Sequence, residues 1–214
     1  RRTFVSHAAS AGVFAGVSFP SLSAKHHSSD RFKLGLSQYS LRALLKNGSL
    51  DALDFPQFTV DQFGIQAIDL WEGGLPKDKL DDAKYLARMR KKAEQAGTDL
   101  FLLMSGALDA SPQKREASSA RIRASFQRSV QLGAPLVRVF LKAPGTEAEA
   151  GLSASVDALK PLADEAAEKN LIIAIEPGAS PLSQKGAFLA QVASKLKHPA
   201  LKLMPDFGKL KDNV

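Results

Sequence analysis

The chain has 214 residues, 44% of them hydrophobic, with 29 Lys and Arg against 22 Asp and Glu for a net charge of +7. That length suits one sizeable domain with a true core, and the absence of cysteine excludes a disulfide framework, thiolate chemistry and sulfur-ligated metal. The positive charge is scattered through segments such as ARMRKKAEQ and RIRASFQR rather than gathered in one stripe, which argues against a nucleic-acid partner.

In chain order the first segment is not part of the fold. The chain starts at Arg1 without a Met, so residues ahead of it are expected to be missing. RRTFV precedes a weakly apolar run, Ala8 to Phe19, followed by Pro20 and SLSA. A charged start, a short apolar middle and a small-residue end make an export signal. The Arg pair ahead of an aromatic resembles a twin-arginine signal. The run is too short and too rich in Ala, Gly and Ser to span a membrane. Residues 1–24 are therefore read as that signal, with a frayed N-terminal arm as the alternative, and 25–32 as a polar lead-in. The domain proper is 33–214, expected in the periplasm or otherwise exported, without stable membrane association.

From residue 33 apolar runs alternate with amphipathic patterns. The runs are 33–40 (KLGLSQYS), 65–72 (IQAIDLWE), 99–105 (DLFLLMS), 135–141 (PLVRVFL), 171–177 (LIIAIEP) and 201–205 (LKLMP). Between them, Leu80, Ala83, Leu86, Ala87, Arg90 and Ala93 sit at helical spacing, stopped by Gly97. Ile122, Phe126 and Val130 do the same, stopped by Gly133. Val156, Leu159, Leu162, Ala163, Ala166 and Ala167 form a further helix ending at Asn170, and Phe188, Leu189, Val192 and Leu196 another, ended by Pro199. Pro161 is expected to kink its helix or mark its true start. Near-continuous apolar strands signal a parallel sheet covered on both faces. Strands recurring about every 30 to 36 residues fit strand-helix units, either an α/β (β/α)8 barrel or an open doubly wound sheet. No Gly-rich dinucleotide fingerprint or phosphate loop follows any strand. Six units fall short of the about 250 residues that eight would fill, so the chain is expected to be a partial TIM barrel lacking its last two units.

In such a barrel the site lies at the C-terminal ends of the strands. Those ends carry Ser37, Gln38 and Tyr39, then Trp71 and Glu72, Met104 and Ser105, Phe140 and Lys142, Glu176, and Asp206. The ends are polar while the strands are not. A carboxylate closing a buried run is costly unless paired, protonated or bound to a cation. Glu176 and Asp206 come from adjacent strands, so a divalent metal between them would relieve their repulsion. The alternative is that each acid caps a helix or pairs with a Lys in a loop. The four histidines are His7, His26, His27 and His198. None ends a strand, which weighs against a multi-zinc phosphodiesterase centre.

LGLSQYSLRALL, LDFP followed by FGIQAIDLWE, IIAIEPGAS and LKLMPDFGKL resemble the sugar phosphate isomerase/epimerase family of xylose-isomerase-like TIM barrels, in a branch with exported members. The likeness runs from about Phe32 to the end. It implies a divalent metal ion (Mn, Mg, Co or Zn) held by acids on strands five and six, here Glu176 and Asp206, with a His and a further acid beyond Val214. It implies proton transfer beside a sugar carbonyl, with Glu176 as both metal ligand and catalytic acid/base, and it makes Gln38, Glu72 and Lys142 candidate substrate contacts. The implied partner is a small-molecule carbohydrate, and an oligomer is possible. Two departures stand out: EPGAS at 176–180, where many relatives have ENHGG, and Lys209, where many have Asn. The implied reaction is isomerisation or epimerisation, with a lyase or dehydratase reaction on the same scaffold, or a non-catalytic carbohydrate-binding remnant, as alternatives.

Overall fold

Six parallel strands form one sheet across the described residues, 32–211, of this computed structural model. The expected signal at 1–24 lies outside the described residues, as does the lead-in up to residue 31. The strands are β1 (Gly35–Ser37), β2 (Ala67–Trp71), β3 (Asp99–Asp109), β4 (Leu136–Lys142), β5 (Ile172–Glu176) and β6 (Leu201–Leu203). Their spatial order is β1-β2-β3-β4-β5-β6, each pair parallel. A doubly wound sheet reverses strand order at a switch point. A monotonic order with helical crossovers is that of a (β/α)8 barrel, of which six strands are present here, and β1 and β6 each have one strand neighbour among the described residues.

Every expected strand is found: β1, β2, β5 and β6 are shorter than their apolar runs, β3 continues to Asp109, and β4 is displaced by one residue to end at Lys142. β1 stops at Ser37 because the Gln38 N–H donates to the Asp69 side chain at 3.1 Å and not to a neighbouring strand, and Gln38–Leu41 then turn as a 3-10 helix. β6 ends before Pro205, which has no N–H to give a ladder. The helices are α1 (Arg42–Lys46), α2 (Phe55–Phe63), α3 (Ala83–Gln95), α4 (Arg115–Leu132), α5 (Ala148–Glu168) and α6 (Gly186–Leu196). The first two were not expected. α2 takes Pro56 in its first turn, where no N–H is needed, and closes at Gly64 with φ +65°.

The other helices lie where the periodicity put them, with three differences. α3 buries Tyr85 and Met89 beside Leu86 and Ala93 and leaves Ala83, Ala87 and Arg90 outward. α4 buries a row of serines, Ser118, Ser125 and Ser129, and leaves Val130 exposed. Those serines find local partners: Ser125 with Ser105 on β3 at 2.7 Å, and Ser129 donating to the Ala134 carbonyl at 2.7 Å. α5 runs through Pro161, which is not its start. Pro161 and Asp157 sit on the exposed face, so water can satisfy the Asp157 carbonyl that the proline leaves free.

Strand alternation divides the core. Val137, Val139 and Leu141 of β4 and Ile173 and Ile175 of β5 face the helices, packing with Ile122, Phe126, Leu159 and Leu162. On the other face Leu102, Met104 and Ala174 make a small cluster with Trp71, Phe101, Leu136 and Met204. That inner face turns polar toward the strand ends. Among the described residues no helix is long and apolar enough to cross a membrane.

Candidate active site at the strand ends

Parity places the central charges. On β4, Arg138 and Phe140 follow Leu136 at steps of two, so they share its inner face. Register pairs Arg138 with Ala174 and Phe140 with Glu176, which puts the guanidinium one step below the Glu176 carboxylate. Arg138 Nε lies 2.9 Å from Glu176 Oε2, and both side chains are 7% exposed. That nitrogen is not aligned for a hydrogen bond, so the contact is one of charge with charge. Arg138 Nη1 donates to the Ser105 carbonyl at 2.8 Å, and the guanidinium carbon sits 4.0 Å from the Phe140 ring centre. Burial pushes the Arg138 guanidinium down from its ordinary value, against the pull of Glu176 and Asp69.

The other Glu176 oxygen is in direct contact with the Lys209 ammonium. Lys209 Nζ is also 3.2 Å from Asp206 Oδ2 and 4.5 Å from the Phe140 ring centre. Asp206 Oδ1 accepts from the Gly208 N–H at 2.9 Å. Burial works to raise the Asp206 carboxyl, but Lys209 and the Gly208 N–H outweigh it and hold it below its ordinary value. Glu176 and Asp206 do converge, as adjacent strand ends should make them, and a loop lysine stands between them.

Deeper on the same face, Asp69 of β2 accepts from Ser37 Oγ and the Gln38 N–H, each at 3.1 Å. Desolvation by burial drives its carboxyl from 3.8 up to about 6; the hydrogen bonds from Ser37 and Gln38 and the charge of Arg138 oppose the rise, and Glu176 adds to it.

The three expected substrate contacts each have partners within the protein. Gln38 is fully buried, its Oε1 accepting from the Trp71 N–H at 3.0 Å and its Nε2 without a partner. Glu72 pairs with Arg128 of α4 at 2.7 Å, and Arg128 also holds Asp81 at 2.9 Å. Lys142 pairs with Asp109 at 3.0 Å and is half exposed. Of the five residues singled out, only Glu176 and Asp206 share a partner. The sequence signals for the rest of the site were a lone Arg inside PLVRVFL and a lone Asp inside IQAIDLWE, each a charge at an inward position of an apolar strand.

A divalent metal does not fit these residues as they stand. The donor set is two carboxylates already joined by an ammonium, with a guanidinium on the far side of Glu176. Among the described residues no group of three or more His, Cys, Asp or Glu is placed to hold a metal ion.

Comparison with known proteins places the fold. The structure is similar to the probable 3-DHS dehydratase AsbF, involved in petrobactin synthesis, from Bacillus anthracis: 17% identity, TM-score 0.68, covering 84% of this chain and 64% of that one. It is similar to the 3-keto-D-glucoside 4-epimerase YcjR from E. coli, at 12% identity and TM-score 0.62 over 76% of this chain and 67% of that one. It is also similar to D-psicose 3-epimerase from Clostridium cellulolyticum H10, crystallised with D-tagatose, at 13% identity and TM-score 0.64 over 86% and 67%. At these identities the likeness is one of fold, and the chain spans less than two thirds of the dehydratase's length. No curated protein matches the chain in sequence. The family model for the xylose isomerase-like TIM barrel matches residues 59–211, and the chain belongs to that family.

Proposed function

We propose that the strand-end site transfers a proton on a small sugar or sugar derivative, an isomerase or epimerase reaction in which Glu176 takes the proton. The observation that carries this reading is the buried Glu176 carboxylate, fixed by Arg138, with the part-exposed Lys209 ammonium beside it. A carboxylate has about four acceptor sites, so Glu176 keeps acceptor capacity beyond its two cations. It would remove the proton from a carbon next to a carbonyl. The electron pair of that C–H bond forms a C=C double bond as the carbonyl π pair moves onto its oxygen, and the charge developing there meets the Lys209 ammonium. Return of the proton to the former carbonyl carbon, with the adjacent hydroxyl proton passing to the former carbonyl oxygen, isomerises the sugar; delivery to the original carbon from the opposite face by a second group epimerises it. Two structural relatives are described as epimerases and one as a probable dehydratase, which supports a carbohydrate-derived substrate. Because the residues do not fit a metal, no step is assigned to one.

The test is exchange of the α-proton in D2O, followed by NMR across a panel of aldoses, ketoses and hydroxylated cyclic acids. Exchange in one substrate class is expected, and Glu176→Gln should slow it by about a hundredfold or more. Undiminished exchange in Glu176→Gln, or no exchange with any compound, overturns the proposal. Loss of water from the exchanging compound assigns the dehydratase outcome in place of isomerisation.

A further inference from the structure

We infer that the Lys209 ammonium is the resident cation of this site, standing between two carboxylates where a divalent ion would otherwise be held. It rests on the strand-end site of the proposed function, and its test reads ion binding and not turnover, so either can fail alone.

Lys209 is fixed from several sides. Its ammonium touches Glu176, lies 3.2 Å from Asp206 and sits 4.5 Å from the Phe140 ring centre. Its stem passes over Gly178, where an added Cβ would come within 2.9 Å of Lys209 Cδ. Gly178 itself holds φ +123°, a conformation side chains disfavour. The loop turns back at Lys209, whose N–H donates to the Asp206 carbonyl at 2.9 Å, and Lys211 N–H donates to the Gln184 carbonyl at 3.0 Å. The path of the stem therefore depends on a position without a side chain, and the turn aims the ammonium at the gap between the acids. Lysine offers three donors and no acceptor, so one ammonium can donate to both carboxylates at once but cannot join them as a ligand. An ion entering the gap would have to displace it or sit against a like charge.

The experiment is a Mn(II) titration of this chain followed by electron paramagnetic resonance, in which bound ion loses the free six-line signal. The wild type should show no site tighter than about 1 mM. Lys209→Met keeps the length and removes the charge, and it should tighten Mn(II) binding at least about tenfold. Lys209→Gln serves as a second neutral variant should the first melt early. Lys209→Arg should behave as the wild type, and Glu176→Gln placed on Lys209→Met should abolish the gained site. One Mn(II) per wild-type chain held tighter than about 0.1 mM, or neutral variants that bind no more tightly than the wild type, would overturn the inference.

Discussion

Asp69→Asn should change how stability depends on pH. Asp69 is 5% exposed, so solvent screens it little. Its carboxyl rises from 3.8 to about 6 on folding, which at 1.36 kcal/mol per pH unit corresponds to about 3 kcal/mol. The sign follows from linkage. The folded state holds this proton more tightly than the unfolded state, so the acid is least costly below about pH 4. Stability is lost as pH rises through the window from about 4 to 6, and the cost is full above it. Asp82, Asp109, Asp164 and Asp206 are all held below their ordinary values and tilt stability the opposite way. The difference between variant and wild type cancels them. Asn has the same shape and does not titrate, so any fixed effect of its amide shifts that difference by a constant. Urea denaturation at half-unit steps from pH 4 to 7.5 should show the variant gaining about 3 kcal/mol relative to wild type across the range. A difference flat to within about 0.5 kcal/mol would refute the reasoning, because Asp69 would then meet the same environment folded and unfolded.

Two further outcomes test the packing of the site. Arg138→Met removes a buried cation that lies 2.9 Å from Glu176 and donates to Ser105 at 2.8 Å; the loss should be about 3 kcal/mol in urea denaturation at pH 7, partly restored by adding Glu176→Gln. A loss under about 1 kcal/mol would mean that Lys209 alone neutralises Glu176. Gly178→Ala forces a side chain into a left-handed conformation against the Lys209 stem and should cost about 1–3 kcal/mol, read as a lower melting temperature; an unchanged melting temperature would show that the loop and Lys209 move aside freely.

The strands were legible because their runs are largely apolar and recur at strand-helix spacing, and the helix stops because Gly97, Gly133 and Asn170 all take positive φ. α1 and α2 were not, since LRALLKNGSLDALDFPQF lacks a clean apolar stripe and its helices are short and separated by turns. The α4 face was misread because buried serines count as polar in a periodicity even when a neighbouring hydroxyl or carbonyl satisfies them. At the site, Glu176 and Asp206 were found because they end runs. Arg138 and Asp69 were passed over because they interrupt runs. The alternative left open for the strand-end acids, pairing with a loop lysine, is what the structure shows. The two departures from the family pattern meet there, Gly178 of EPGAS lying under the stem of Lys209.

The charge count around Glu176 decides which group is left to titrate. Three carboxylates, Asp69, Glu176 and Asp206, stand there with two cations, Arg138 and Lys209. Glu176 lies against both cations, and Asp206 shares Lys209 and has the Gly208 N–H. Asp69 is left with hydrogen bonds from Ser37 and Gln38, and Arg138 acts on it only at longer range. Burial therefore prevails at Asp69 and is outweighed at Asp206, although Asp206 sits closer to the strand ends where a reaction would take place. If Lys209 swings out to meet an anionic substrate, Asp206 loses its cation and Glu176 keeps only Arg138. The group around Glu176 then carries two uncompensated acids in place of one, and a proton should be taken up on binding. Substrate binding measured by calorimetry in buffers of different ionisation enthalpy should report that uptake, and its absence would show that Lys209 stays on its two carboxylates through the binding step.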